Sequence, residues 1–336
     1  MAPHFSVVIP TCNMHEHIPA LWASLQNAGI SRAAECIVFV DDGSTDATPD
    51  ALRVVVAGRQ PDEAHVEVLT FAENKGRFVA RLEGAKAAPS ERVLFLDTRL
   101  ELPSDFALQL LRASETYPAI NGTVEIDTRR NVFCLYWDRS HKVLFRNHYA
   151  HAHAPITLTP QNFDAFLKGT TVFYCPRAEW IAACDAFEGR NLLSDDTFLM
   201  RKMVETCPIT IHPDVKISWV PRETFSQFVW RIWDRGPGFA EYHVYERRGP
   251  MFWAVAGGFA ALLAWAVMLA VAPIPALLVA VIALGAVALS TAFFAQGPME
   301  FVKMVPLHVA TFFAFGMGAL RGIVVVGVRK MKASRG

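Results

Sequence analysis

The segment FLDTRLELP, residues 95–103, places an apolar strand directly before three charged side chains. The run VLFL at 93–96 predicts a buried strand, and Asp97, Arg99 and Glu101 follow it. In open α/β sheets, ligands bind just beyond the carboxyl ends of the strands. We therefore expect these three side chains to lie at the phosphates of a ligand, where an arginine between two acids is the unusual residue.

Three more strand-like runs precede this segment: FSVVIP at 5–10, CIVFV at 36–40 and a third at 66–71. A segment with the periodicity of an amphipathic helix follows each of them, for example one that begins near Thr48. The order β-α-β-α-β-α-β predicts a doubly wound, mostly parallel α/β sheet with right-handed crossovers.

Polar loops follow these strands. Thr11 and Asn13 come after the first, Asp41 and Asp42 after the second, and Lys75 after the third. Thr11 and Asn13 suit a sugar or base, and a carboxylate at Asp41 or Asp42 suits a base or ribose hydroxyl. The sequence contains neither G-x-G-x-x-G after the first strand nor G-x-x-x-x-G-K-[ST], which removes the main sequence arguments for a dinucleotide oxidoreductase or a P-loop NTPase.

Four motifs in order, SVVIPTCN at 6–13, VDDGSTD at 40–46, ENKGR at 73–77 and LD at 96–97, resemble the start of a family 2 glycosyltransferase. The resemblance implies the GT-A fold, a nucleotide-sugar donor and inversion at the anomeric carbon. It also implies that Asp41 and Asp42 hold the nucleoside. Asp97 would open the D-x-D motif of the family, which binds Mg²⁺ or Mn²⁺ at the diphosphate.

Position 99 departs from that motif, because an arginine stands where D-x-D has its second acid. An arginine cannot ligate a metal, but it donates two parallel hydrogen bonds to phosphate oxygens. Three alternatives follow. Arg99 replaces the charge of the metal, or Glu101 joins Asp97 to keep Mg²⁺ or Mn²⁺, or the site has lost activity and the fold serves as a binding module.

A second acidic pair, Asp195 and Asp196, follows Ser194, a favourable N-cap residue for a helix predicted over residues 197–206. One interpretation is a capped helix whose first turn carries two acids. The other follows from the resemblance, which implies an acidic pair near the acceptor. Asp196 matches its second acid and is the candidate general base, with Asp195 in reserve. A lipid-phosphate acceptor is already an anion and needs no base.

The middle of the chain carries weaker patterns. Residues 120–126 and 132–137 are predicted strands around a turn. His148, His151 and His153 are predicted to lie in a solvated loop, since they lack partner acids at metal-ligand spacing. A phosphate contact together with Arg146 is the alternative function for this cluster.

The segment 224–245 is rich in aromatic residues and places Arg231 and Arg235 one helical turn apart. Tryptophan and tyrosine favour the membrane interface, where arginine meets phosphates. We expect Arg231 and Arg235 to hold an acceptor or donor phosphate at the bilayer surface. A helix packed on the catalytic domain is the alternative.

Three apolar stretches, 251–272, 274–295 and 305–328, approach or exceed the ~20 residues that a membrane helix needs. Arg247, Arg248 and the basic tail all favour the cytosol. Three crossings would put the tail outside. Either the third stretch bends back through its glycines at 316, 318 and 322, or the charge rule is broken.

We therefore predict a cytosolic GT-A domain at 1–222, an interfacial segment at 223–250 and an anchor of about three hydrophobic helices at 251–336. The predicted function is inverting transfer of a sugar from a nucleotide sugar to a lipid-linked or membrane-proximal acceptor in synthesis of the cell envelope. Because no signal peptide precedes the first strand, we expect an integral protein of the cytoplasmic membrane with its catalytic domain in the cytosol. Rival interpretations are a polyprenyl-phosphate sugar donor and a catalytically silent scaffold.

Composition agrees with a membrane protein and sets limits on its partners. The apolar content of 52% is high for a soluble domain. A formal net charge of +0 argues against a nucleic acid partner. The six cysteines form no C-x-x-C pair, which favours reduced and mostly buried thiols.

Overall fold

The computed structural model describes residues 5–151, 153–188, 190, 192–220, 222–246 and 249–333. The chain forms two compact units. The sheet unit comprises Met1–Asp127 and Phe145–Pro221, and the helical unit comprises Thr128–Leu144 and Arg222–Gly336. The predicted three-part division stays a prediction, and Arg247, Arg248 and the last three residues lie outside the described residues.

Within the described residues, nine strands form one sheet: β1 Phe5–Thr11, β2 Cys36–Asp41, β3 His65–Thr70, β4 Arg92–Leu96, β5 Leu100–Glu101, β6 Ala119–Glu125, β7 Ile156–Leu158, β8 Val172–Pro176 and β9 Ile209–Trp219. The α-helices are α1 Ile18–Asn27, α2 Ile30–Ala33, α3 Thr48–Gly58, α4 Arg77–Ala87, α5 Phe106–Ser114, α6 Val132–Leu144, α7 Arg146–His151, α8 Arg177–Asp185, α9 Asp195–Met203, α10 Phe225–Asp234, α11 Gly236–Phe239, α12 Pro250–Val271, α13 Pro273–Ser290 and α14 Pro298–Ala333. Short 3₁₀ turns at Phe163–Ala165 and Thr291–Phe293 and a π-helical segment at Ala240–Tyr245 complete the set.

The sheet has the order β3-β2-β1-β4-β8-β6-β9-β5, with β7 paired to β9. The first four strands are all parallel, as the β-α repeat predicts. Beyond β4 the sheet becomes mixed, because β8 runs antiparallel to both β4 and β6. The predicted doubly wound, mostly parallel sheet is thereby confirmed, with an antiparallel extension.

The core of the sheet unit lies on both faces of β1, β2 and β4, whose residues are almost all buried. Phe95 on β4 packs against Trp180 on α8 with ring centroids 4.4 Å apart. Gly84 lets α4 lie directly on the sheet, since a Cβ there would come within 2.4 Å of Val8 Cγ1. This close packing fixes the position of α4, the helix that carries the buried arginine of the candidate site.

One local prediction is wrong, and the bounds of another differ from those predicted. Residues 132–137 form the start of helix α6 instead of a strand. The aromatic residues favour a strand by propensity, but Phe133, Tyr136 and Trp137 repeat with helical spacing and are buried. Asn131 Oδ1 accepts from the backbone N–H of Cys134 at 2.9 Å, which caps the helix. The helix predicted over 197–206 is present, and it begins at Asp195 and ends at Met203.

The helical unit contains α6 and everything from α10 to the C-terminus. Three of its helices, α12, α13 and α14, are long and apolar enough to cross a membrane, as predicted from the sequence. Of the two alternatives for the third stretch, a bend at its glycines is not observed, because α14 is one continuous helix of 36 residues. Gly318 serves a close contact instead, since a Cβ there would come within 2.4 Å of the carbonyl oxygen of Trp233.

Candidate active site

The sheet register brings the first polar loops to one edge. Thr11 pairs with Asp41 and Asp41 with Thr70, so the carboxyl ends of β1, β2 and β3 are level. The Thr11 hydroxyl donates to the carbonyl of Val40 at 3.2 Å, and Thr11 is buried. Thr11 therefore supports the end of β2 as well as lying at the predicted nucleoside edge.

The two neighbouring acids Asp41 and Asp42 differ in what they bind. Both oxygens of Asp42 accept from backbone N–H groups, Oδ1 from Lys75 at 2.6 Å and Oδ2 from Gly76 at 3.0 Å. Oδ1 of Asp41 accepts from the N–H of Ser44 at 3.2 Å, whereas its Oδ2 is buried with no hydrogen-bond partner. Asp42 thus holds the β3–α4 loop, and Asp41 offers a carboxylate oxygen that the protein leaves unsatisfied.

Asn13 and Lys75 frame the same edge. Asn13 has a positive φ of 54°, and its Oδ1 accepts from the N–H of Thr45 at 2.9 Å. Its own N–H donates to Ser44 Oγ at 2.9 Å. The ammonium of Lys75 lies 4.7 Å from the centroid of the Phe71 ring, and Lys75 is exposed. Asn13 therefore fixes the turn after β2, while Lys75 places a cation at the end of β3.

Asp97 lies at the end of β4 and is tied to a buried arginine that the sequence reading missed. Its Oδ1 accepts from Arg81 Nη2 at 3.3 Å, and its Oδ2 accepts from Thr171 Oγ1 at 3.0 Å. Arg81 also donates from Nη1 to Asp195 Oδ2 at 2.6 Å. Arg81 and Asp195 are only 2% and 1% exposed. One guanidinium thus connects the predicted diphosphate acid with the predicted acceptor pair.

Arg99 forms hydrogen bonds with two other segments of the sheet unit. Its Nη1 lies 2.9 Å from His17 Nε2, and its Nε donates to the carbonyl of Val220 at 3.4 Å. Since a guanidinium only donates, Nε2 of His17 is the acceptor and His17 is neutral in this arrangement. Arg99 therefore adds a positive charge two residues beyond Asp97, while also anchoring the end of β9.

The protein groups at this site do not by themselves form a metal cage. Glu101 is exposed on the short strand β5, opposite Ser218 of β9. Among the described residues, no group of three or more His, Cys, Asp or Glu side chains is placed to hold an ion. A Mg²⁺ at this edge would need most of its oxygen ligands from donor phosphates and water. The residues present thus do not fit a metal held by the protein alone.

The second acidic pair opens α9. Asp195 is enclosed by cations, with Arg77 Nη2 at 3.8 Å in addition to Arg81. Asp196 is only partly buried, and its Oδ1 accepts from the N–H of Thr197 at 2.8 Å. Gly169 lies beside this carboxylate, since a Cβ there would be 3.6 Å from Oδ2, an ordinary contact distance.

Lys168 provides a cation near Asp196. Burial lowers the pKa of Lys168 to about 8, against the attraction of Asp164 and Asp196, which raises it. Its ammonium donates to the carbonyl oxygens of Phe163 and Phe166 and lies 4.1 Å from the centroid of the Phe163 ring. Lys168 therefore changes charge close to physiological pH while it remains fixed beside the acidic pair.

The predicted solvated loop is wrong for two of its three histidines, since His148 and His151 both lie on helix α7. His148 is buried on helix α7, its Nδ1 has no hydrogen-bond partner, and burial together with the charge of Lys168 lowers its pKa. His151, on the same helix, is exposed and its Nδ1 bonds the carbonyl of Asn147 at 2.8 Å. His148 and His151 are three positions apart, a spacing that fits one helical turn, whereas the two-residue spacing of His151 and His153 suggested a loop.

Arg231 and Arg235 belong to the helical unit. Arg231 Nη1 lies 3.9 Å from Asp234, within the same helix. The guanidinium of Arg235 lies 4.6 Å from the centroid of the Trp137 ring on α6. Thr224 caps this helix by accepting from the N–H of Gln227. Arg235 thus lies on an aromatic ring and Arg231 beside an acid of its own helix, and their predicted phosphate contacts stay a prediction.

Comparison with known proteins identifies the family. The model of "Glycosyl transferase family 2" matches residues 6–178, just over half of the chain. The chain belongs to this family. The match includes all four motifs on which the predicted resemblance rests, from β1 to Asp97 after β4, and it confirms that prediction.

Curated relatives include the undecaprenyl-phosphate 4-deoxy-4-formamido-L-arabinose transferases of Yersinia pestis bv. Antiqua (strain Angola) and Yersinia pseudotuberculosis serotype O:3 (strain YPIII). Each is 29% identical over 130 residues, which are 38% of this chain and 38% of the relative. This chain therefore aligns with well under half the length of these curated relatives.

A solved structure extends the likeness of fold over nearly the whole chain. The mannosyltransferase PcManGT from Pyrobaculum calidifontis, in complex with GDP-Man and Mn²⁺, has a TM-score of 0.61 and 20% sequence identity. The comparison covers 95% of this chain and 88% of that one. At this identity the likeness shows the fold, and it confirms the predicted GT-A architecture followed by helices.

No site role was predicted from the sequence for two groups at the site, Arg81 and Lys168. Arg81 follows Arg77 by one helical turn on α4, so both point to the same side. That spacing, directly after the ENKGR motif, was the available signal. Lys168 precedes Gly169 in a loop, where no periodicity distinguishes a buried lysine from an exposed one.

Proposed function

We propose that this chain is a membrane-attached inverting glycosyltransferase that moves a sugar from a nucleotide-sugar donor to a lipid-linked acceptor. The observation that carries the proposal is the edge of the sheet, where Asp41 at the end of β2 and Asp97 just after β4 lie at the carboxyl ends of the two parallel strands that flank β1, inside the family-matched region. The apolar helices α12 to α14 supply the membrane attachment.

The donor binds with its nucleoside at the unsatisfied Oδ2 of Asp41, which accepts from a base N–H or a ribose hydroxyl. Asp42 orders the loop that carries Lys75, and Asn13 orders the turn beside it. The diphosphate lies toward Asp97, where Arg81 and Arg99 contribute positive charge. Fixed cations at a developing diphosphate lower the barrier to its departure.

In the transfer step, an acceptor hydroxyl attacks the anomeric carbon from the face opposite the diphosphate. Its proton passes to Oδ2 of Asp196, a new C–O bond forms, and the bond to the leaving phosphate oxygen breaks. The electron pair of that bond leaves with the nucleoside diphosphate, and the anomeric centre is inverted. Asp195 acts differently, because it is saturated by arginines and positions Arg81.

A second candidate is transfer to a polyprenyl phosphate, and the names of the Yersinia relatives favour it. Such an acceptor is an anion, so the transfer would proceed without a base. Arg231 and Arg235 in the helical unit are our candidates for its phosphate. The dependence on Asp196 separates the two acceptor classes.

The test uses the full chain in proteoliposomes with labelled UDP- and GDP-sugars and a bacterial lipid extract. We expect lipid-dependent release of nucleoside diphosphate and recovery of the sugar in the lipid phase. Asp97→Ala should lower the rate by at least about 100-fold. The matched control Asp62→Ala removes an exposed carboxylate that pairs with Arg32 and should leave the rate unchanged.

Thermal unfolding in the presence of ligands decides between the rivals. Protection by UDP or GDP supports the proposal, since a ligand that binds only the native state raises the unfolding temperature. Protection by a polyprenyl phosphate sugar without any by nucleotides would support a lipid-borne donor. Nucleotide protection without turnover on any lipid would support a silent scaffold.

The role of Arg99 is tested by restoring the second acid. We propose that Arg99 supplies charge that D-x-D enzymes obtain from a divalent ion, so the wild-type protein should keep most of its activity in EDTA. Arg99→Asp should be inactive in EDTA and recover at least about tenfold with Mn²⁺. Arg99→Ala is the matched control and should gain far less from Mn²⁺. Complete loss of wild-type activity in EDTA would contradict this role.

A further inference from the structure

Helix α14 is long enough to cross a bilayer, but its contacts hold it to one side. At 36 residues it measures about 54 Å, against a hydrocarbon core of about 30 Å. A helix that crosses would place its two ends on opposite faces of the membrane. The contacts of its ends within the helical unit therefore determine its topology.

The first end of α14 is bonded near the end of α13. Ser290, the last residue of α13, bonds His308 Nε2 at 2.9 Å, and Nδ1 of the same ring lies 3.0 Å from the Tyr136 hydroxyl on α6. Glu300 forms a two-pronged ion pair with Arg139 of α6, at 2.8 and 3.0 Å. These contacts hold the first third of α14 beside the C-terminal end of α13.

The other end is bonded near the start of α12. The Tyr245 hydroxyl donates to the carbonyl of Ile323 at 2.6 Å, and Lys330 lies 3.8 Å from Glu246. Glu246 precedes the first residue of α12 by four positions. Since α12 and α13 are joined at Ala272 by a tight turn, the start of α12 and the end of α13 share one face of the membrane. Both ends of α14 are thus held at that same face.

The centre of α14 is bound to a polar segment. A Cβ on Gly236 would come within 2.0 Å of Gly318, and one on Gly322 within 2.7 Å of Pro237. These contacts join α14 to α11, in a stretch whose neighbouring positions include Asp234 and Glu241. Such a stretch is too polar for the hydrocarbon core.

The hairpin itself is left uncovered. Within the described residues, α12 has no buried side chain, and α13 has only Ala276. Leu278 and Ile282 in the body of α13 are 60% and 62% exposed. A third crossing helix would pack along these two helices. The structure shows α14 at the end of the hairpin instead.

The outward side of α14 has the pattern of an interfacial helix. Val302, Phe313 and Val324 form an exposed apolar face. Lys303 and Arg321 are also exposed, and their spacing of 18 residues is about five turns, so both start from the same edge of that face. The guanidinium of Arg321 lies 5.7 Å from the centroid of the Trp233 ring on α10. Apolar residues flanked by cations fit the boundary between acyl chains and phosphate headgroups.

We propose that α14 lies in the plane of the bilayer surface, with its apolar face in the headgroup boundary and Lys303 and Arg321 against anionic lipid phosphates. Only α12 and α13 of the described helices then cross. The basic end of α14, Arg329 and Lys330, remains on the side where α12 begins, in agreement with the positive-inside rule. This topology stands independently of the reaction that the sheet unit performs.

The first test places reporters on the full chain in a bacterial host. Green fluorescent protein after Gly336 should fluoresce, and alkaline phosphatase at the same place should be inactive, as at the N-terminus. Alkaline phosphatase inserted at the α12–α13 turn should be active. Active phosphatase after Gly336 would overturn the proposal.

The second test measures depth with Lys303→Cys and Arg321→Cys, which lie about 27 Å apart along the helix axis. In sealed inverted vesicles, an impermeant maleimide should label both at rates within about threefold of each other, counted above the parent protein. Labelling of one site at least about tenfold slower, or only from the opposite side, would mean that α14 crosses. Phe313→Cys, on the apolar face, is the matched control and should label slowly from both sides.

Discussion

The two acidic pairs of the sheet unit, Asp41–Asp42 and Asp195–Asp196, share one arrangement: protein groups saturate one acid of each pair and leave the other available. In the first pair, both carboxylate oxygens of Asp42 accept hydrogen bonds from backbone N–H groups, while Asp41 keeps a buried oxygen without a partner. In the second, Asp195 is consumed by Arg81 and Arg77, while Asp196 stays open beside Gly169. In each pair, one acid stabilises the structure of the site and the other is available to a ligand. The structural acid is the second residue of the first pair, Asp42, and the first residue of the second pair, Asp195.

The comparison also shows what each structural acid supports. Asp42 orders a loop through neutral backbone donors, so its effect is local. Asp195 neutralises a buried cation that also reaches Asp97, so its effect extends to the diphosphate end of the site. Removal of Asp195 should therefore damage the site more widely than removal of Asp42.

The largest expected effects separate Asp196 from Asp195. If the acceptor is a hydroxyl, Asp196→Asn should lower the turnover rate by about 10² to 10⁴-fold, because the transfer loses its base. Its unfolding temperature should equal that of the wild type. Assays of sugar transfer and thermal unfolding on the same preparations measure both.

Asp195→Asn should instead destabilise the protein, because loss of one partner from a buried ion pair costs about 3–5 kcal/mol. Activity should fall together with the folded fraction and with donor affinity. A wild-type unfolding temperature for Asp195→Asn, or wild-type turnover for Asp196→Asn with a hydroxyl acceptor, would break the division within this pair. Wild-type turnover of Asp196→Asn with polyprenyl phosphate would identify that acceptor class.

A smaller effect should separate Asp41 from Asp42. Asp41→Asn should weaken nucleotide binding by about 10 to 100-fold, since a charged hydrogen bond contributes about 1.5–3 kcal/mol. Its stability should be unchanged, because the remaining oxygen still accepts from Ser44. Calorimetric titration with UDP and GDP measures the affinity.

Asp42→Asn is the matched variant. An amide has one accepting oxygen and cannot replace both bonds to Lys75 and Gly76, so the free energy of unfolding should fall by about 2 kcal/mol. Nucleotide affinity should change less than in Asp41→Asn once the loop is folded. The reverse order of the two affinities would show that Asp42 contacts the nucleoside.

The sequence predicted the parallel sheet and the positions of its strand ends because apolar runs and polar loops alternate regularly in the first hundred residues. It also placed Asp41, Asp97 and Asp196 as candidates. It did not predict that Asp42 and Asp195 are saturated, because that depends on partners such as Gly76 and Arg81 that only the fold brings near. Residues 132–137 failed for a similar reason, since aromatic residues favour a strand until tertiary packing selects the helix.

The smallest expected effect concerns Lys168, the cation near Asp196. Burial lowers the pKa of Lys168 to about 8, so the ammonium near Asp196 is lost as the pH rises through 8. The turnover rate should fall there by about fivefold, which corresponds to about 1 kcal/mol of charge interaction. Lys168→Arg keeps its charge at all these pH values and should remove the decline.

The same lowered pKa fixes the sign of a stability effect. Between about pH 8 and the ordinary value of 10.5, the native protein binds fewer protons than the unfolded chain, so the free energy of unfolding should rise across this window. Lys168→Met should abolish that rise, whereas Lys86→Met, which removes an exposed lysine on α4, should preserve it. If Lys168→Arg leaves the pH profile of turnover unchanged, the charge of Lys168 does not act on Asp196. The second pair would then resemble the first, in which only the two acids contribute.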